Sequence, residues 1–255
     1  MSGEIDLVEI LFTLFWLFFV ALVLYIHREG KREGYPLVSD RTERAPGVTV
    51  EGFPKTPPKK RYTPTHGDRI EVPRDEPPRE LALEPAAAYP GAPFVPTGNP
   101  MIDAVGPATY ADRADVPDLT LHGENRIVPM RVATDFVFFD EDPEPIGMEV
   151  MDAEGKLAGT VADVWVDRGE PLVVFYEVDL GAAAGNKRVL LPVNFCRVKG
   201  AAREIHVNAL YASQFADVPQ TASPDAITLL EEDKITGYYG GGLLYADEQR
   251  QEPLI

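Results

Sequence analysis

The strongest hydrophobic pattern in the chain is an unbroken apolar run near its start, LVEILFTLFWLFFVALVLYI at residues 7–26. Only Glu9 and Thr13 are not strongly apolar, and Glu9 lies near the edge of the run. As an α-helix the run would be about 30 Å long, which is the thickness of a bilayer's hydrocarbon core. A buried helix of a soluble protein is rarely apolar on every face over such a length. The pattern therefore predicts a single transmembrane helix.

The residues that flank this run predict that it is an uncleaved anchor with a defined orientation. A cleaved signal peptide has a basic start and a small-residue cleavage site. Here the start is acidic, no cleavage site follows, and Arg28, Lys31 and Arg32 lie just after the run. The positive-inside rule then places residues 28–255 in the cytoplasm. Residues 1–35 form the first segment: a short tail, the helix and its basic flank.

Residues 36–107 combine many prolines with short, broken hydrophobic stretches. Such a composition is typical of disorder. Aromatic residues such as Tyr62, Tyr89 and Phe94 nevertheless recur, and a free tail rarely retains them. We therefore predict an extended segment that lies along a partner, with one short hairpin at residues 69–72.

From Arg126 onwards the pattern changes to short β-strands separated by turns. Residues 152–155 (DAEG) indicate a turn, and residues 172–180 (LVVFYEVDL) are the strongest strand. The predicted strands cover residues 127–132, 148–151, 157–166, 172–180, 188–192, 195–198 and 204–207. Short strands at this spacing indicate a small antiparallel barrel or sandwich, to which we assign residues 108–246.

Two helices are predicted towards the end of this domain. Asn208 is placed to cap a short helix over residues 209–215. Thr228 and Glu231 have capping-box spacing, which predicts a helix from residue 229 to 239 that the glycines at 240–242 end. The acids of its first turn suit the helix dipole, and this structural role outweighs a catalytic one. Residues 247–255 are predicted to be a frayed tail.

Charge and cysteine content narrow the classes of function. The chain has 24 Lys and Arg against 41 Asp and Glu, a net charge of −17. Such a field repels nucleic acid and does not favour an anionic lipid surface. The single cysteine, Cys196, excludes a disulfide framework and a cysteine zinc site, in agreement with a reducing cytoplasm. The acidic surface serves solubility or, alternatively, collects protons.

Candidate chemistry is confined to two loops. The sequence has no phosphate loop, dinucleotide fingerprint, metalloprotease helix or nucleophile elbow, and its four histidines share no ligand spacing. We therefore expect neither a metal site nor an independent enzyme. His122 and Glu124 precede the first strand, and Asp167 and Glu170 lie between two long strands. Histidine changes charge near neutral pH, and neighbouring carboxylates can pass protons along waters. Ordinary turn residues are the alternative interpretation.

Six short stretches form an ordered set over almost the whole chain. They are REGYPL at 32–37, PTGNP at 96–100, VGPA at 105–108, VWVD at 164–167, LLEEDK at 229–234 and GGLLY at 241–245. Together they closely resemble the H subunit of the photosynthetic reaction centre of purple bacteria. No single stretch is decisive, whereas the ordered set is specific.

The resemblance implies a single transmembrane α-helix, an extended segment on the L and M subunits, and a mainly-β cytoplasmic domain with a short C-terminal helix. That domain would be a small antiparallel barrel of the PRC type. The implied role is that of an accessory subunit, not an enzyme, which caps L and M, stabilises the quinone sites and conducts protons to the secondary quinone. This chain alone would bind no cofactor, because L and M would hold the bacteriochlorophyll, bacteriopheophytin, quinones and non-haem iron. The implied location is the bacterial inner (intracytoplasmic) membrane, with the N-terminus periplasmic. Membrane lipid, a light-harvesting core antenna and a cytochrome subunit are the further partners that it suggests.

The resemblance also assigns site residues. His122 matches one histidine at the family's proton entrance, whereas the other falls on Glu124 and the entrance aspartate falls on Thr120, which cannot titrate. Asp167 and Glu170 match an acidic loop beside the quinone pocket, with Glu170 the deepest. The predicted proton pathway is therefore His122, Glu124, Asp167 and Glu170. A function of a different class remains: a membrane-tethered PRC-barrel adaptor with no part in electron transfer.

Overall fold

The N-terminal apolar run forms one long helix, α1 (Leu7–Gly30), in the computed structural model of the chain. Asp6 caps it, because its carboxylate accepts a hydrogen bond from the Val8 amide at 2.9 Å. The structure describes residues 6–37, 50–74, 79–89 and 91–251. Within those ranges α1 is the one helix long and apolar enough to cross a membrane, and none of its residues is buried by the rest of the chain. The helix continues about one turn beyond the predicted apolar run.

The chain divides into two compact units, residues 1–77 with 87–92 and residues 78–86 with 93–255. In the first unit β1 (Lys60–Tyr62) pairs antiparallel with β2 (Ile70–Val72). Residues 69–72 thus take part in a hairpin as predicted, but they supply only its second strand. In the second unit β3 (Leu83–Pro85) pairs antiparallel with β4 (Phe94–Pro96), and this pairing was not predicted. The parts of the predicted extended segment at 38–49, 75–78 and 90 lie outside the described residues.

A seven-stranded sheet is the main element of the second unit. Its strands are β5 (Ile127–Pro129), β6 (Glu149–Met151), β7 (Leu157–Asp167), β8 (Leu172–Asp179), β9 (Arg188–Pro192), β10 (Cys196–Lys199) and β11 (Glu204–Val207). They lie in the order β10-β11-β6-β7-β8-β9, and β5 pairs with the far end of β7. The prediction of a mainly-β domain is confirmed.

Two details of the predicted barrel are corrected. β6 and β11 pair in parallel, which is possible because four strands separate them along the chain and form a long crossover. Among the described strands, the outer strands β9 and β10 do not pair, so hydrogen bonding does not close the sheet. Between β9 and β10 the short 3-10 helix Val193–Phe195 turns the chain. The Phe195 ring packs against the ring of Tyr239, with the two ring centroids 5.8 Å apart.

The core of the second unit lies between this sheet and a helix near the C-terminus, α2 (Leu229–Tyr245). Val161, Val164 and Val166 of β7 are all buried in it. The largest fully buried side chains include Trp165 of β7 and Phe175 of β8, together with Met148, Leu191, Ile205, Leu210, Phe215, Ile235 and Tyr239. This hydrophobic burial stabilises the sheet and α2 as one unit.

The start of α2 is as predicted, but its end is not. The Thr228 hydroxyl accepts a hydrogen bond from the Glu231 amide, and the Glu231 carboxylate accepts one from the Thr228 amide at 2.9 Å. The prediction that the glycines at 240–242 end the helix is wrong, since α2 continues to Tyr245. A Cβ added to Gly241 would lie 2.5 Å from the Cβ of Ala108. These glycines let the helix backbone pack directly on neighbouring backbone, and this contact offsets their low helix propensity.

The predicted helix over residues 209–215 is also corrected. A 3-10 helix forms instead over Ala212–Asp217, because the Gln214 side chain accepts a hydrogen bond from the Tyr211 amide and caps the turn there. Ala209 and Leu210 lie before it and are fully buried. Asn208 therefore does not cap a helix at this point.

The beginning of the predicted tail is held against the domain. Residues Glu248–Arg250 form a short 3-10 helix. The Arg250 guanidinium donates hydrogen bonds to the carbonyl oxygens of Ala209 at 3.0 Å and Gly242 at 2.8 Å. The prediction of a frayed tail is therefore wrong for residues 247–251, while residues 252–255 lie outside the described part of the chain.

Candidate functional site

The loop that carries His122 and Glu124 is a tight turn between Leu119 and Asn125, which form an isolated β-bridge. The Thr120 hydroxyl accepts hydrogen bonds from the amides of His122 and Glu124, both at 3.3 Å. Thr120 thus shapes the turn even though it cannot titrate. Both predicted site residues are exposed, and the His122 ring makes no hydrogen bond or ion pair with the described residues.

Asp167 is the buried acid of the site, and strand pairing places a guanidinium beside it. β5 and β7 pair with Ile127 opposite Asp167, so Arg126, one residue before β5, lies next to that carboxylate. The Arg126 Nε atom lies 3.0 Å from one carboxylate oxygen and 2.9 Å from the other. The amides of Gly169 and Glu170 donate to the same carboxylate at 2.7 and 3.1 Å. The Asp167 side chain is only 9% exposed, and its carboxylate accepts hydrogen bonds from one guanidinium and two backbone amides.

Arg126 connects this buried acid to two further carboxylates. Its Nη2 atom lies 3.3 Å from Glu170, whose side chain is 71% exposed, and its Nη1 atom lies 3.4 Å from Asp118. The neighbouring Arg168 lies 3.7 Å from Glu124. Two arginines thus bring three of the four predicted site residues into one group, and His122 lies at its exposed turn. We call Asp118, Arg126, Asp167 and Glu170 the Arg126 cluster.

The charge state of Asp167 follows from these contacts. Burial disfavours its ionised form, but the hydrogen bonds from Arg126 and from the amides of Glu170 and Gly169 outweigh burial and lower its pKa. The same hydrogen bond raises the pKa of Arg126. Asp167 and Arg126 are therefore a fixed ion pair at neutral pH.

Glu232, in the first turn of α2, is a further carboxyl group in the electrostatic environment of the cluster. Burial raises its pKa. The positive charges of Arg113 and Arg126 oppose this rise, whereas the negative charges of Asp233 and Asp118 add to it. Glu232 thus binds a proton more readily than an exposed glutamate does. The sequence interpretation of this acidic turn, a complement to the helix dipole, did not single it out.

Arg126 and Asp118 were also missed by sequence reasoning. Asp118 and Asp167 are separated by most of the N-terminal half of the domain, and only the β5–β7 register brings Arg126 between them. The usable signal in the sequence was Arg126 itself, a basic residue immediately before a predicted strand.

The basic residues predicted to orient the helix have structural contacts of their own. The Lys31 ammonium is buried and donates to the carbonyl oxygens of Glu51 at 2.7 Å and Pro54 at 3.0 Å. Arg32 donates a hydrogen bond to the Pro58 carbonyl oxygen, and Arg28 is exposed. Two of the three cations therefore hold the end of α1 to the following segment, and the orientation of the helix stays a prediction.

Two family models match the chain. Residues 1–132, just over half of its 255 residues, match the model described as "Photosynthetic reaction centre, H-chain N-terminal region". Residues 139–214 match the model described as "PRC-barrel domain". The first match extends from α1 to β5 and the second from β6 to β11.

Proposed function

The chain belongs to the H-chain family of the photosynthetic reaction centre, and from this premise we propose that it caps the L and M subunits and conducts protons to the secondary quinone. Membership of the family makes it an accessory subunit that associates with other reaction-centre subunits in a membrane complex. We further propose that the bulk of the chain lies in the cytoplasm and that L and M are its partners there.

The observation that carries the proton proposal is the Arg126 cluster. His122 and Glu124 are exposed and take up protons at the surface, because both side chain types can bind and release them. Asp167, held ionised by Arg126, contributes a fixed negative charge that favours protons in transit. Glu170 exchanges protons, since its carboxylate is exposed and is bound by a single ion pair within the described chain. Arg126 is the positioning residue that joins the two loops.

The proposed docking on L and M is supported by aromatic side chains that this chain leaves exposed. Phe53, Tyr62, Tyr89 and Phe94, all in the proline-rich segment, are exposed although each is large and largely apolar. Exposed apolar patches mark surfaces that partner proteins cover, and we propose that these side chains belong to such patches. We propose that the L and M subunits cover them.

We propose that the L and M subunits, and not this chain, hold the cofactors of the complex. Among the described residues, no three His, Cys, Asp or Glu side chains are grouped so that they could hold a metal ion. When bound in the core, the quinone supplies the redox chemistry. The contribution of this chain is confined to positioning and proton exchange at its own side chains.

Glu170→Gln tests the proton pathway in the assembled complex. The substitution keeps the shape of the side chain and removes its proton exchange. We expect proton-coupled transfer of the second electron to the quinone to slow by about tenfold. That is less than the 10²–10⁴-fold that positioned acids and bases contribute in full, because the other acids of the cluster remain. The rate is measured after a second light flash as a function of pH.

Glu154→Gln is the matched control, because Glu154 is also exposed but forms its ion pair with Lys156, outside the cluster. An unchanged rate across the pH range in the Glu170 variant would remove Glu170 from the pathway. Purification of the natural chain without pigmented subunits, seen in an absorption spectrum, would instead favour the adaptor function.

A further inference from the structure

The loop between β5 and β6, residues 135–144, combines negative charge with exposed apolar side chains. It has no Lys or Arg. The Val137 and Phe139 side chains point into solvent, with these residues 86% and 66% exposed. Its five carboxylates form no salt bridge with the described residues: Asp135, Asp140, Glu141, Asp142 and Glu144. We call residues 135–144 the acidic loop.

The acidic loop is held in place from the inside. Phe136 and Phe138 are partly buried and pack against the core of the domain. The intervening Val137 and the following Phe139 therefore face outward, as expected for an extended segment with alternating side chains. At the far end, Pro143 packs closely on Gly200, where an added Cβ would lie 2.7 Å from the proline ring. The exposed apolar pair is thus presented by a supported segment.

The negative charge of the acidic loop limits which kind of partner can bind there. Five negative charges around two apolar side chains repel nucleic acid and anionic lipid. They also repel a second copy of this chain, which carries a net charge of −17. We propose that the acidic loop is a docking site for a cationic segment of another protein, one in which Lys or Arg side chains flank apolar residues.

This docking site goes beyond the proposed proton function, because no residue of the Arg126 cluster belongs to it. Part of the loop, residues 135–138, lies between the ranges that the two family models match. The apolar pair would bury its surface in the partner's apolar residues, and the carboxylates would pair with cations at the rim.

Peptide binding to the full-length chain in non-ionic detergent micelles tests this site. The probe is a short fluorescent peptide in which lysines flank two leucines and a phenylalanine, and the readout is fluorescence anisotropy. Val137→Ser/Phe139→Ser should weaken binding by about tenfold, which corresponds to about 1.4 kcal/mol. The matched control is Leu157→Ser/Leu243→Ser, because these leucines are also exposed but lie elsewhere in the domain. The control should bind the peptide as the natural chain does.

A second pair of variants separates a specific site from general attraction to an acidic protein. Asp140→Asn/Asp142→Asn and Asp112→Asn/Asp217→Asn each remove two exposed negative charges, so their net charges are equal. We expect the loop pair to weaken peptide binding severalfold more than the distant pair. Equal losses in the two pairs, or unchanged binding in the Val137→Ser/Phe139→Ser chain, would overturn the proposal. Loss of peptide binding in the assembled complex would overturn it as well, since the other subunits would then cover the loop.

Discussion

Replacing Arg126 by glutamine should destabilise the second unit, because Asp167 would remain as a buried charge without its counter-ion. The substitution removes both contacts to the Asp167 carboxylate, at 2.9 and 3.0 Å, and the weaker contacts to Asp118 and Glu170. Asp167 would keep the hydrogen bonds from the amides of Gly169 and Glu170.

The magnitude follows from the burial of the two partners. A hydrogen bond to a charged group contributes about 1.5–3 kcal/mol, and breaking a fully buried ion pair costs about 3–5 kcal/mol. Asp167 is 9% exposed, but Arg126 is 30% exposed, so water replaces part of what is lost. We therefore expect Arg126→Gln to lower the free energy of unfolding by about 2 kcal/mol at neutral pH.

Urea unfolding in detergent micelles, followed by tryptophan fluorescence, measures this change. The chain has two tryptophans, so a Trp16→Phe background leaves the buried Trp165 as the reporter of the domain. Asp167→Asn and the double variant Arg126→Gln/Asp167→Asn complete a double-mutant cycle. The double variant should lose less stability than the sum of the single variants, because the unpaired charge is then absent.

The dependence on pH provides a second check with a defined sign. The pKa of Asp167 is lowered in the folded state. Its stabilising contribution is therefore present above the unfolded-state value of about 3.9 and is lost as the pH falls through the folded-state value. The stability difference between the natural chain and Arg126→Gln should shrink in acid. A difference that grows in acid, or a coupling energy near zero in the cycle, would refute the assignment of Arg126 as the counter-ion of Asp167.

Two further predictions use matched pairs in α2, each measured by urea unfolding. The buried Tyr239 hydroxyl has no hydrogen-bond partner among the described residues, whereas the Tyr238 hydroxyl donates to the Gln214 carbonyl at 2.9 Å. Tyr239→Phe should thus leave the free energy of unfolding unchanged or raise it, and Tyr238→Phe should lower it by about 1 kcal/mol. A larger loss of stability in Tyr239→Phe than in Tyr238→Phe would show that the Tyr239 hydroxyl is hydrogen-bonded. Burial raises the pKa of Glu232, so its ionised form destabilises the folded state as the pH rises. Glu232→Gln should therefore raise the free energy of unfolding by on the order of 1 kcal/mol near pH 7 and change it little near pH 3. Glu231→Gln weakens the capping box and should have the opposite sign at neutral pH.

Local sequence patterns were sufficient for α1, the strands of the main sheet and the start of α2, but not for the β3–β4 pairing or for the helix predicted at residues 209–215. The apolar run predicts α1, because a helix without a polar face has few other environments. Apolar runs bounded by turn residues predict β7 and β8, and the Thr228–Glu231 pair predicts where α2 begins. In each case the signal and the structure it determines lie within one element, so no knowledge of distant contacts was needed.

The candidate site was predictable from the sequence only in part. The residues of the two loops were predicted from residue chemistry and from the family resemblance, and their roles in proton transfer stay predictions. Their arrangement was not predicted, since Arg126 reaches Asp167 only through the β5–β7 register. Within this chain Asp167 is the buried acid and Glu170 the exposed one, so the predicted depth of Glu170 requires a covering subunit.

The amino-acid sequence by itself determined α1, the strands of the main sheet, the start of α2, the negative charge and the absence of common catalytic motifs. Tertiary structure decided that β6 and β11 are parallel, that the glycines of α2 continue the helix, and that one arginine joins three carboxylates. The physical reason is the same in all three cases. Strand register, close backbone packing and the burial of an ion pair depend on contacts between residues far apart in the chain, and a local pattern contains no information about those contacts.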